Sequence, residues 1–364
     1  MMKVFESIFD ITYLSLVIGL GVRLLIEEKK DAKLFGLMAI LLGLGDSFHL
    51  LPRIISHLSP EGFEGHIVAL SWGQFVTSIT MTIFYILYYY YYMEKSGDRD
   101  KTKTILVYLL AAFRIGITLM PQNGWGTANP SYAFGIYRNI PFAILGGLLI
   151  YWTHKHNDKE GLKHMDLLIF LSFIFYIPVV LWSKQYPAVG AFMLPKTFAY
   201  LMIVVVGYKH YVKEFKAENI LGLSFTMLIM GLVAGVFYRE FTKYYGFINY
   251  SHLRILHVHT LVLGFFALLI LFSIVKRYTK EEMTSIKKPF HTYMTGLIST
   301  VVMMMLIGIY EVVSKGQNIV NPSMLAGISG LAHTTLGVGI VWLLKCLVKI
   351  ERNHSVYNKI ETAK

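Results

Sequence analysis

Eleven stretches of about 20 predominantly apolar residues follow one another along this chain, each long enough to cross roughly 30 Å of hydrocarbon as an α-helix. In lipid every backbone N–H and C=O must be satisfied inside its own segment, so such stretches fold as helices and exclude an open sheet. The runs fall near residues 8–26, 34–52, 67–93, 104–121, 137–153, 166–183, 189–208, 219–238, 252–275, 290–313 and 323–348. The fold class expected is therefore an all-α polytopic membrane protein with eleven transmembrane helices. Composition agrees: 55% of residues are hydrophobic, only 15% are charged and the mean hydropathy is +0.54, which excludes a soluble enzyme. The single cysteine, Cys346, excludes an intramolecular disulfide and a cysteine-based zinc or iron–sulfur site.

The net charge of +12 reports topology before it reports a partner. Of the 34 Lys and Arg residues, 24 lie in one alternate set of connections and the tail, including Lys29–Lys33, Lys95–Lys103 and Lys276–Lys288. Cytoplasmic loops retain Lys and Arg, which places the N-terminus outside and the C-terminus in the cytoplasm of a multi-pass protein of a bacterial plasma membrane. The bilayer is the expected partner, with a small or anionic ligand arriving from the outer side and no nucleic acid. The charged connection Lys209–Asn219 is the only organisational seam. It divides a seven-helix block, 1–212, from a four-helix block, 213–350, followed by a cytoplasmic tail, 351–364. The run Tyr88–Tyr92 reads as an interfacial aromatic belt.

A charge in hydrocarbon costs at least about 2.5 kcal/mol, so ionisable residues inside spans mark sites or pairs. With this orientation Asp46, His49, Arg114, Arg138, Lys196 and Glu240 fall toward the outer side and propose a polar interior opening outward. Asp46, His49 and Arg53 share one helical face, so the carboxylate can support the imidazole as a proton carrier, metal ligand or base, or simply pair as a helix-end anchor. Arg114 and Arg138 flank the outer loop 120–125 and can clamp an anion. The simpler alternatives pair Arg114 or Lys196 with Asp46 and let Arg138 reach to the interface.

The last block contains Tyr-Arg-Glu-Phe-Thr-Lys at 238–243, His-Leu-Arg-Ile-Leu-His-Val-His at 252–259 and Gly-Leu-Ala-His-Thr-Thr-Leu-Gly-Val-Gly at 330–339. His257 and His259 are two residues apart, about 200° around a helix, and face different ways. His333 shares its face with Ala326, Gly330 and Gly337, small residues that admit a neighbouring backbone or the plane of a macrocycle. His257 opposite His333 is thus a candidate axial pair for a b-type haem or another transition metal. His259 is a further metal-ligand candidate, though its ring is expected to point elsewhere, and Arg239 or Arg254 can neutralise propionates. On these three segments the four-helix block resembles a bacterial membrane family known only as a domain of unknown function, with Ala332 where that pattern has glycine. The resemblance implies an architecture and no chemistry. The second helix is similar, through Ser47 and His49, to membrane hydrolases but lacks their later pair of histidines. Three functions follow: a haem- or metal-binding protein with a redox or small-ligand role, a proton- or anion-coupled transporter, and a membrane-embedded metal-dependent hydrolase.

Overall fold

The computed structural model describes residues 2–362. Among the described residues there is no strand, and eleven helices are long and apolar enough to cross a membrane. They are α1 (Met2–Leu25), α2 (Lys30–Leu58), α3 (Ile67–Ser96), α4 (Lys101–Leu119), α5 (Tyr132–Lys155), α6 (Met165–Trp182), α7 (Met193–Tyr211), α8 (Ala217–Tyr244), α9 (Leu253–Val275), α10 (Lys280–Val313) and α11 (Pro322–Thr362). The spans agree with the apolar runs, and the largest extensions are at the start of α10 and the end of α11. At α10 Thr279 and Glu282 form a capping box that starts the helix ten residues before the apolar run. The last helix continues to residue 362, so the tail expected at 351–364 is largely helical, and residues 363 and 364 lie outside the described residues.

Two compact units divide the chain, one built from residues 1–57 and 61–213, the other from 58–60 and 214–364. In the first, α1–α3 and α5–α7 close around a core that contains Phe35, Phe84, Phe142, Leu145, Trp152 and Tyr200. Small residues let the helices approach: a Cβ at Gly207 of α7 would overlap the buried ring of Phe35 from α2, and one at Gly146 of α5 would overlap Phe173 from α6.

The tyrosines of α3 turn into this core rather than lying along an interface. Tyr88, Tyr89, Tyr91 and Tyr92 are buried, and only Tyr90 is exposed. Each buried phenol finds a partner: Tyr88 meets Thr153 at 3.0 Å, Tyr89 meets Thr104 at 2.9 Å, Tyr91 donates to the carbonyl of Gly161 at 3.0 Å and Tyr92 donates to Asp98 at 2.9 Å. The expected belt is corrected for a physical reason. Five rings in a row cover a helix all round, and a helix packed on several sides buries most of them once their hydroxyls are satisfied.

In the second unit α8 packs along α9, α10 packs on α9, and α11 packs along α10. Its core gathers Ile220, Leu268, Phe290, Leu297, Leu336 and Leu343. The middle of α9 is a π-helical segment, Thr260–Phe266. Such segments interrupt the regular ladder and recur at functional sites.

Candidate functional site

Within the seven-helix unit a cavity of about 600 Å³ is lined from α2 to α7 and by the connections around Asn129 and Gly190. It collects His49 and Arg53 from α2, Arg114 from α4, Arg138 from α5, Lys184 after α6 and Lys196 from α7, and no Asp or Glu among the described residues lines it. Four of the residues expected in a polar interior, His49, Arg114, Arg138 and Lys196, are thus brought to one space.

Aromatic faces hold Arg114, Arg138 and Lys196, whereas Arg53 pairs with the carboxylate of Glu6. The Arg114 guanidinium lies 3.3 Å from the ring centroid of Phe142, that of Arg138 lies 4.5 Å from Trp125, and the Lys196 ammonium sits 4.8 Å from Tyr176 and 5.4 Å from Tyr200. A ring face attracts a cation without consuming its N–H donors, so the donors stay available for a ligand. Arg114 shows this most clearly: it is 2% exposed, and its Nε and Nη1 have no hydrogen-bond partner.

The surrounding loop fixes these groups. Buried Asn123 donates to the carbonyls of Ile117 at 2.7 Å and Met120 at 2.9 Å, closing the end of α4, and its Oδ1 accepts from Arg138 at 2.8 Å. Trp125, which underlies Arg138, donates to the carbonyl of Thr118 at 2.8 Å, and Gly126 donates to Ser71 at 2.9 Å. Tyr176, beneath Lys196, donates to Asn139 at 2.9 Å, and Tyr200 meets Tyr85 at 3.1 Å. Asn123 and the ring platforms were not singled out in the sequence. Only Gly-Trp after Pro-Gln-Asn signalled a tight, aromatic turn there.

Asp46 does not behave as expected. It makes no ion pair with Arg114 or Lys196 and no hydrogen bond to His49. Its Oδ2 instead accepts from Tyr13 at 2.6 Å, and it interacts with Lys196 electrostatically, without direct contact. Asp46 and His49 lie one turn apart on α2, but α1 supplies a phenol that takes the carboxylate. His49 lines the cavity with its Nδ1 buried and unpartnered. Arg53 pairs with Glu6, which also lies 3.3 Å from His57. Asp10, four residues after Glu6 on α1, is 3% exposed with Oδ2 unbonded. Glu6, Asp10 and Tyr13 recur at helical spacing on α1, a signal that the sequence carried.

In the four-helix unit the pairing is different from the one expected. His257 faces α8, 6.5 Å from Tyr238 in a stacked arrangement and against Gly235. His333 is approached instead by His259, with ring centroids 6.4 Å apart and planes at 81°. The 200° between His257 and His259 holds, but their neighbours are exchanged relative to the expectation. Arg239 pairs with its exposed neighbour Glu240 at 2.7 Å, so Glu240 belongs to a surface pair and not to the polar interior. Arg254 is exposed, and Glu311 binds His252 at 2.6 Å. No three His, Cys, Asp or Glu side chains gather to hold a metal ion among the described residues.

Residues 217–350 match the family described as "Protein of unknown function (DUF2871)". That region takes in nearly all of the four-helix unit and none of the cavity. No curated protein and no solved structure matches the chain.

Proposed function

We propose that the seven-helix unit binds a small organic anion and that the protein is an anion carrier of a bacterial plasma membrane, with the cavity open to the outer side. One observation carries this reading: Arg114 is a buried guanidinium with unspent donors on the wall of a cavity that has basic residues and no carboxylate. A permanently charged group left unpaired away from water costs several kcal/mol, and an incoming carboxylate, phosphate or sulfate removes that cost with paired, charge-assisted bonds. Arg138 and Lys196 supply the second and third contacts. A smaller recess of about 170 Å³ shares Asn139, Phe142, Tyr176 and Val180 with the cavity and is otherwise apolar, which favours an anion with a hydrophobic portion. Arg114 and Lys196 lie within spans, where ionisable groups line ligand pathways more often than they support a fold.

The test is thermal stability of the purified full chain against a panel of inorganic phosphate, sulfate, dicarboxylates and aryl or alkyl monocarboxylates. An amphiphilic anion should raise the Tm with a saturable dose dependence, and chloride at equal ionic strength should not. Stabilisation by none of them beyond the chloride control sinks the proposal. Orientation has its own check. A reporter inserted at Asn129 should be external and one fused after Lys364 cytoplasmic, and both on one side would overturn the topology.

A further inference from the structure

The rings of His259 and His333 meet across a gap that the helices themselves do not close. Among the described residues α11 packs along α10 and has no comparable packing against α8 or α9. The unit's core runs along α11 from Leu336 toward Ile350, and His333 lies just beyond its end. On the same face of α11 as His333, a Cβ at Gly330 or Gly337 would meet nothing within 4 Å. The space beside the ring is therefore open and bordered by the two smallest side chains available.

Both imidazoles engage a backbone carbonyl of their own helix through one ring nitrogen. Nδ1 of His259 lies 3.1 Å from the carbonyl of Ile255, and Nδ1 of His333 lies 3.0 Å from that of Ser329. Each Nδ1–H donates to that carbonyl, which leaves the Nε2 lone pair as the free one and raises its basicity. Two imidazoles bound trans to one metal, each with a metal–nitrogen bond of about 2 Å, have ring centroids roughly 6 Å apart. The observed separation is 6.4 Å with the planes nearly perpendicular. His259 stands immediately before the π-helical segment, which adjusts the phase of α9 at this point.

We infer that His259 and His333 are the axial ligands of a haem held between α9 and α11. A bare ion would find only two imidazoles here, because no third His, Cys, Asp or Glu joins them among the described residues. A tetrapyrrole brings its own four equatorial nitrogens and needs just two axial imidazoles. The glycine face leaves room for its plane. This site is independent of the anion cavity, so either can fail without the other.

The full chain, purified from cells supplied with haem precursor, should carry a Soret band and, on reduction, the sharp α band of six-coordinate low-spin iron. His259→Ala and His333→Ala should each abolish the low-spin spectrum, and His257→Ala should leave it intact. Because a variant can fail to fold, His333→Met is included. A methionine ligand should shift the reduced bands and raise the midpoint potential in a chain that still elutes as a single species. Gly337→Phe should block uptake of added haemin without changing that elution. A colourless protein that shows no Soret shift on titration with haemin overturns the inference. So does a spectrum indifferent to His259 and His333, or stoichiometric binding of copper alone.

Discussion

The two units handle the polar groups of their long apolar helices in opposite ways. The seven-helix unit turns its polarity inward, with buried tyrosines that bond within the core and cations seated on aromatic rings around one cavity. In the four-helix unit His259 and His333 meet at helix faces, and Gly330 and Gly337 beside His333 have no atom within 4 Å of a Cβ built there. The first arrangement makes every interior position depend on its neighbours. The second tolerates change on its open face and concentrates chemistry in two rings. A unit of the first kind suits a diffusible charged ligand that must be enclosed, and one of the second suits a flat resident group that slides between helices.

The sharpest way to break this contrast is to exchange glycines for a larger side chain. Gly207→Leu drives atoms into the buried Phe35 ring and should cost roughly 3 kcal/mol, seen as a large fall in Tm or loss of monodisperse protein. Gly337→Leu should leave the Tm of the haem-free protein within a degree or two, since no atom stands within 4 Å of the new Cβ. Equal losses at both positions would remove the distinction between a closed and an open unit.

A functional cation should be costly to the empty protein. Arg114→Leu removes an unpaired buried charge and adds apolar volume beside Phe142, so it should raise stability without ligand by about 1–3 kcal/mol, measured as Tm in ligand-free buffer. Destabilisation would mean that the guanidinium supports the fold.

Much of this architecture was legible in the residues. The apolar runs located all eleven helices, because in lipid length and hydropathy leave few alternatives. The basic residues His49, Arg114, Arg138 and Lys196 inside the apolar runs were also visible, since charge there is conspicuous. What stayed hidden was the identity of neighbours. Helical spacing gave the angle between His257 and His259 but not which helix each would meet, and the exchange between Tyr238 and His333 depends on packing order. The same limit explains Asp46, whose partner Tyr13 comes from α1. Aromatic support for cations is harder still to read, because Phe142 and Tyr176 are ordinary core residues until an Arg or Lys is placed over them.

Smaller effects should follow the same division. Tyr88→Phe and Tyr91→Phe each lose a hydrogen bond of a buried phenol and strand its partner, so each should lower stability by about 1 kcal/mol. Tyr90→Phe, at the exposed position, should change it by a few tenths at most. Smallest is the loop between α3 and α4. There the Lys103 ammonium, with further help from Tyr92, holds the Asp98 carboxyl below the usual range. A depressed carboxyl contributes stability that is present above its unfolded pKa of about 4 and is lost as pH falls through the lower folded value. Asp98→Asn should therefore flatten stability slightly below about pH 4 and leave neutral behaviour nearly unchanged. An unaltered acid profile would show the ion pair to be inconsequential.

The central claim is that an anion seats on Arg114, and calorimetric titration of the full chain with the best-stabilising amphiphilic anion tests it most directly. The account predicts one site per chain, weakened at least about 30-fold by Arg114→Leu through loss of a buried charge-assisted contact, and unchanged by His259→Ala. Binding of equal strength in the wild-type and Arg114→Leu proteins would contradict it.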